Sequence, residues 1–288
     1  MRLRVPVLLS ALFIVSTVAV ALVAPVLPVK NPTTQSVIRR LKAPSVEHAL
    51  GTDRLGRDVL SRVVWGARVS LVVGAAVVAI SALAGTAVGL TSGYFRGLAS
   101  DLLVRGIDVL QAFPALILAL AIVTALGPGL ATVIAGISLG YVPQFARVTR
   151  AAALAVRERE YVEAARAAGA GPVRVLLRHV LPNGVDPVIV LCTLLVPAAI
   201  LTESMLSFLG LGITEPTPTW GNMIDNGRLV LREAPWLTVF PSIALVLTVI
   251  AFNLVGDAIR DALDPHVQEM WVGAPGRPAP PRGASLPG

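Results

Sequence analysis

The chain has 288 residues, 55% of them hydrophobic and only 14% charged, with a mean hydropathy of +0.76. One soluble core cannot bury that much apolar surface, so the composition selects the bilayer as solvent. The formal charge of +7 and pI near 10.6 would suit nucleic acid, but no soluble basic stretch exists to carry such a site, and arginines at a lipid face account for the charge.

A spanning helix needs about 20 mostly apolar residues, and six runs qualify: 5–29, 69–93, 107–126, 130–145 with a possible extension to 156, 185–206 and 236–255. The expected fold is therefore all-α and integral to the membrane, with about six transmembrane helices. Arg2 and Arg4 ahead of an apolar run containing Ala19-Val20-Ala21 look like a secretory signal. The run exceeds the roughly 7–15 residues of a signal core, so an uncleaved anchor over 1–29 is the better reading. Residues 30–67 are polar and turn-rich and form a separate extracytoplasmic segment. The transmembrane core is expected over 68–257, and 258–288 is read as a cytoplasmic tail, disordered from about 271 by its Pro and Gly content.

Lys and Arg favour a cytoplasmic N-terminus only weakly, because the 30–67 loop is itself basic. The densest group, from Arg147 to Arg178, decides the orientation, since the opposite topology would export it.

Most catalytic readings fall away on residue types. Cys192 is the only cysteine and lies inside an apolar run, so there is no disulfide framework and no CxxC pair. His48, His179 and His266 are scattered through polar segments and offer no metal-ligand spacing. Gly136-Ile137-Ser138-Leu139-Gly140 matches the GxSxG elbow of a hydrolase, yet no histidine lies in the apolar runs to activate Ser138. Helix packing explains it better: Gly136 and Gly140, like Gly85, Gly89 and Gly93, have the spacing that lets membrane helices approach closely. Neither Lys30 nor Lys42 follows a glycine, which excludes a phosphate-binding loop of the GxxxxGK type. Glu203, Asn253, Asp108 and Gln111 are polar groups at membrane depth and hence candidates for function, with helix capping or interfacial placement as the plain alternative.

Residues 160–182 read EYVEAARAAGAGPVRVLLRHVLP. Good helix formers run from Glu158 to Ala168, Gly169 stands where a left-handed cap is wanted, and Pro172 suits the first turn of a second short helix reaching about His179, which Pro182 ends. The product is a helix, a turn and a helix too polar to enter the membrane. Small side chains at Ala164 and Ala165 give a thin helix that fits a partner's cleft, with Glu163 and Arg166 available to set register. A helix lying on anionic lipid fits the same residues.

Glu163-Ala164-Ala165, Gly169 and then Leu181-Pro182 resemble the EAA loop in the membrane subunits of ATP-binding-cassette importers. HALGTDRLGRDVLSRVVWGARVSL (48–71), LTESMLSFLGLGI (201–213), PTWGNMI (218–224) and AFNLVGDAIRDALDP (251–265) resemble the C-type, or second, permease of dipeptide, oligopeptide and nickel importers. His179 replaces the Ile common two residues before Leu-Pro, as in peptide-type members.

The resemblance implies a type I ABC importer permease of a prokaryotic inner membrane. Residues 157–182 would contain the coupling helix, with Glu163, Ala164, Ala165, Arg166, Gly169, Leu181 and Pro182 at the joint to the ATPase. It implies as partners a homologous permease, two ABC ATPase subunits that bind ATP and Mg, an extracytoplasmic peptide-binding protein and the bilayer. This chain would hold no cofactor, catalytic residue or nucleic acid. Asp53, Arg57 and Asp58 would lie under the docked binding protein and pair across that joint or within their own loop, with Glu203 at the outer gate. Peptides are favoured over nickel because no His, Cys or carboxylate cluster lines an apolar run. An ATP-independent secondary transporter would need inverted repeats and paired midplane charges, and the sequence has neither.

Overall fold

The computed structural model describes residues 4–263. Within them the chain is helical apart from loops and an isolated antiparallel bridge between Thr52 and Asp58. The helices are α1 (Arg4–Val23), α2 (Val59–Tyr94), α3 (Leu98–Gln111), α4 (Ala115–Leu126), α5 (Leu130–Arg157), α6 (Glu160–Ala167), α7 (Pro172–Val175), α8 (Leu181–Asn183), α9 (Asp186–Phe208), α10 (Trp220–Arg228) and α11 (Trp236–Leu263). The Pro- and Gly-rich stretch 271–288, read above as disordered, lies outside the described residues.

Four helices, α1, α2, α9 and α11, are each long and apolar enough to cross a membrane, and α3 with α4 makes a fifth span if that bent pair counts as one. The expected third span at 107–126 is this pair, bent by 86°. Pro114 causes the break: it offers no N–H and bars the helical conformation at Phe113. The expected fourth span is α5, whose 28 residues extend about 42 Å. Tyr141, Gln144, Arg147 and Arg150 make it more polar than the others, and it is shielded by burial of Ile137, Phe145 and Ala153. Helix α2 starts at Val59 and absorbs the last turns of the segment expected outside the membrane. At 36 residues it is about 54 Å long, well beyond the roughly 30 Å of bilayer hydrocarbon.

The core lies between α2, α4, α5 and α9, where Val73, Val77, Ala119, Val133, Ile137 and Leu206 are buried together. A seam of small residues draws these helices close. A Cβ on Gly85 would meet Phe145 Cβ at 2.5 Å, and one on Gly93 would meet Ala153 Cβ at 2.8 Å. Gly136 and Gly140 do the same against Ala119 and Ala115 of α4. Ser138, the serine of the GxSxG pattern, is buried in this seam, where its carbonyl accepts from Ser81 Oγ at 2.9 Å. Helix α1 is attached to α2 and α11 and leaves Leu8, Leu12 and Val15 more than 60% exposed, as a helix facing lipid or another membrane subunit must.

Candidate functional site

Two constructions stand at opposite ends of α2. The first is the segment 160–183. Arg159 precedes α6 without a side-chain cap, and Glu160 and Glu163 place negative charge in its first turn, where the helix dipole favours it. Ala168 and Gly169 close the other end: the Gly169 N–H donates to Arg166 O at 2.9 Å and the Ala170 N–H to Ala165 O at 3.0 Å. That pattern is a Schellman cap and needs a left-handed residue. Gly169 supplies it with φ of +83°, and nothing stands within 4 Å of where its Cβ would be, so backbone conformation alone requires glycine.

Val162 anchors α6. It is fully buried in an apolar cluster with Leu90 of α2, Ala153 and Val156 of α5, and Val175, Leu176 and Val180 beyond the turn. Arg166 lies over the Tyr94 ring, 5.1 Å from its centroid. Arg157 adds a bond from Nη1 to Gly93 O at 2.8 Å, which satisfies a carbonyl at the end of α2. The opposite face of α6 is open: Glu163, Ala164, Arg166 and Gly169 are exposed, and Glu163 makes no ion pair or side-chain hydrogen bond among the described residues.

Pro172 starts α7 as expected, but the helical run passes His179 and Pro182 and reaches Asn183. The reason is a π turn over Leu176–Val180, with the Leu181 N–H bonded to Leu176 O. The wider turn accommodates a residue with no N–H to give, and Asn183 Nδ2 donates to His179 O at 2.7 Å. Leu181 packs against the Val162 cluster while Pro182 is exposed.

The second construction is a cap built by residues 30–58 over the start of α2 and the α10–α11 connection. Asp58 caps α2, accepting from the Ser61 N–H at 2.9 Å, and its other oxygen pairs with His48 Nδ1 at 2.7 Å. Arg57 Nε donates to Asp53 at 2.5 Å, and its two terminal nitrogens reach Glu215 at 2.8 and 2.9 Å. Arg62 joins the same carboxylates, at 3.3 Å from Glu215 and 3.6 Å from Asp53. Burial opposes the charge on Arg57, but the bonds to Glu215 and Asp53 outweigh it and set its pKa above the ordinary value. Burial alone would also push Glu215 up. The Arg57 bonds and the charges of Arg57, Arg62 and Arg54 instead hold its carboxyl below the usual range. Trp236 Nε1 completes the cap with a bond to Thr52 O at 3.2 Å.

Asp53, Arg57 and Asp58 are therefore buried and engaged within the chain. Of the two roles expected for them, pairing across a joint with a binding protein or within their own loop, these contacts support the second. Glu203, expected at the outer gate, is likewise enclosed by the chain. It is fully buried in α9, accepts from Ser207 Oγ at 2.8 Å, and keeps Oε2 without a hydrogen-bond partner. Asp108 lies exposed on α3, 3.6 Å from Arg147, Gln111 ends that helix exposed, and Asn253 is exposed midway along α11. Glu215 is the residue that sequence reasoning missed, since nothing local marks a carboxylate whose partner lies 158 positions away.

Residues 85–269 match the family described as binding-protein-dependent transport system inner membrane component. The chain is 40% identical over 261 residues to the dipeptide transport system permease protein DppC of Alkalihalophilus pseudofirmus, covering 91% of this chain and 86% of that one. It is 42% identical over 260 residues to the glutathione transport system permease protein GsiD of Shigella dysenteriae, with 90% and 86% covered. Among solved structures, an inward-facing MetNI methionine ABC transporter chain superposes with a TM-score of 0.57 at 19% identity, covering 72% of this chain and 96% of that one. The matched region contains the α2–α5 seam, the capped α6 and the α10 connection, and the chain belongs to the family of binding-protein-dependent inner membrane transport components.

Proposed function

We propose that this chain is the permease subunit of an ATP-driven importer of dipeptides or oligopeptides, forming half of the path beside a homologous permease. The observation that carries this reading is the construction of α6: a short exposed helix, capped at Gly169 and fixed through Val162 to the ends of α2 and α5. A force applied to its open face reaches the spanning helices without passing through a loop. Glu163, Ala164, Ala165 and Arg166 form the face that meets the ATPase, Gly169 sets the docking angle, and Leu181 with Pro182 closes the segment. Two ATPase subunits bind ATP and Mg and do the hydrolysis, and an extracytoplasmic binding protein delivers the peptide. The exposed Arg-rich end carrying α6 is cytoplasmic, which places the N-terminus inside and the cap outside. Peptides are favoured by the relatives named for dipeptide and glutathione transport.

The test is purification of the complex in mild detergent, followed by an ATPase assay with peptide-loaded and empty binding protein. Co-purification of a second permease and ATPase subunits, with hydrolysis stimulated by the loaded binding protein, is the expected result. A chain that purifies alone and moves solute on an ion gradient without ATP would sink the proposal.

A further inference from the structure

Between the cap, the end of α1 and the first turns of α2 and α5 lies a cleft of about 760 Å³, within the size range of small-ligand sites. Its polar wall is cationic. Arg68 is half-buried there, with its guanidinium 5.8 Å from the Trp65 ring and no carboxylate or other acceptor among the described residues. Lys30 stands on the same wall, spending one proton on Glu47 O at 2.6 Å and lying 3.4 Å from His48 Nδ1. No acidic side chain lines the cleft. Glu215, next to the lining Pro216, is already engaged by Arg57 and Arg62. The other wall is apolar, with Val69, Val72 and Leu130. It runs out onto the exposed apolar surface of the chain, where Val72 is 49% and Leu130 43% exposed.

The geometry points to an anionic phospholipid as the occupant, its phosphate between Arg68 and Lys30 and its acyl chain along Val69, Val72 and Leu130. Two features favour a lipid over a transported peptide. A peptide zwitterion needs a carboxylate for its ammonium group, and this cleft has none. The apolar run of α2 begins at Val69, so Trp65 and Arg68 lie at the depth where aromatic rings and snorkelling cations meet headgroups.

The experiment is native mass spectrometry of the whole importer complex after exchange into an equimolar mixture of phosphatidylglycerol and phosphatidylcholine. Wild type should retain one more phosphatidylglycerol per copy of this chain than Arg68→Gln, with retention at that site lowered about fivefold, the ratio one surface cation contributes towards anionic lipid. Arg68→Lys should restore most of it, and Arg232→Gln, an exposed cation at the same end outside the cleft, should change nothing. Lys30→Gln gives a second reading if Arg68→Gln fails to assemble. Equal retention in wild type and these cleft variants, or displacement of the bound lipid by a dipeptide or by inorganic phosphate, would overturn the assignment. The readout needs no transport activity, so it can fail while the importer reading stands.

Discussion

The two ends of α2 are held by opposite means. At the cap, Asp53, Arg57 and Arg62 are buried and satisfied by one another and by Glu215, and Asp58 is buried and satisfied by His48 and the Ser61 N–H. At the α6 end the buried side is apolar, around Val162, and the charges of Glu163 and Arg166 are left outside. A buried ionic network holds one arrangement, because losing either partner strands a charge. An apolar anchor with a polar outer face tolerates small adjustments and leaves its charges free for a partner. On the proposed reading, the cap is fixed architecture and α6 is the surface that meets a moving partner.

Breaking the cap should give the largest effect. Arg57→Ala leaves Asp53 and Glu215 without their main cation, and a loss of about 3 kcal/mol is expected from removing one partner of a buried pair. It should register as a lower melting temperature of the complex and poor assembly. At the other end, Val162→Ala removes two buried methyl groups and should cost about 2 kcal/mol locally. The complex should still assemble and hydrolyse ATP, with uptake per ATP reduced several-fold. Gly169→Val forces a β-branched residue to positive φ, for about 1–2 kcal/mol of strain. Assembly of the membrane part should survive while ATP hydrolysis is uncoupled from uptake, and normal uptake would remove Gly169 from the joint. Within this chain Arg166→Gln loses the contact over Tyr94, worth about 0.5–1 kcal/mol at an exposed site, and it should leave assembly intact with a modest fall in coupling.

The smallest effect is a pH dependence that separates the ends. Because Glu215 is held below its ordinary pKa, its contribution is fully present above the unfolded value of about 4.3. It is lost as pH falls through the lower folded value. Melting temperature should therefore drop more steeply on acidification below about pH 4 in wild type than in Glu215→Gln. Parallel pH profiles would show that the cap network does not govern the stability of that end.

The α6 end was legible because its signals are local. Gly169 after a run of helix formers, and Pro172 three positions later, state a cap and a restart within one short stretch. The glycine spacings of α2 and α5 likewise identified the seam. Pro114 also announced the break between α3 and α4, but the apolar content of 107–126 hid it. The π turn was not legible, since a widened turn depends on how the chain accommodates Pro182 against its surroundings. The internal pairing of the cap was not legible for a related reason. Counted as free charges, Arg57 and Arg62 blurred the topology, and Asp53 and Asp58 looked like a docking surface. Only the fold brings Glu215 beside Arg57 and converts those charges into interior groups.

The glycine seam of α2 has a mechanical consequence. Where backbones lie too close for side chains to pass, as at Gly85 against Phe145, α2 and α5 cannot slide along one another and must tilt together as a plank. For a helix about 54 Å long pivoting at its middle, a tilt of about 10° displaces each end by about 5 Å. If α6 is the docking helix proposed above, a small push on it would arrive at the cap as a movement the width of a side chain, with its direction reversed.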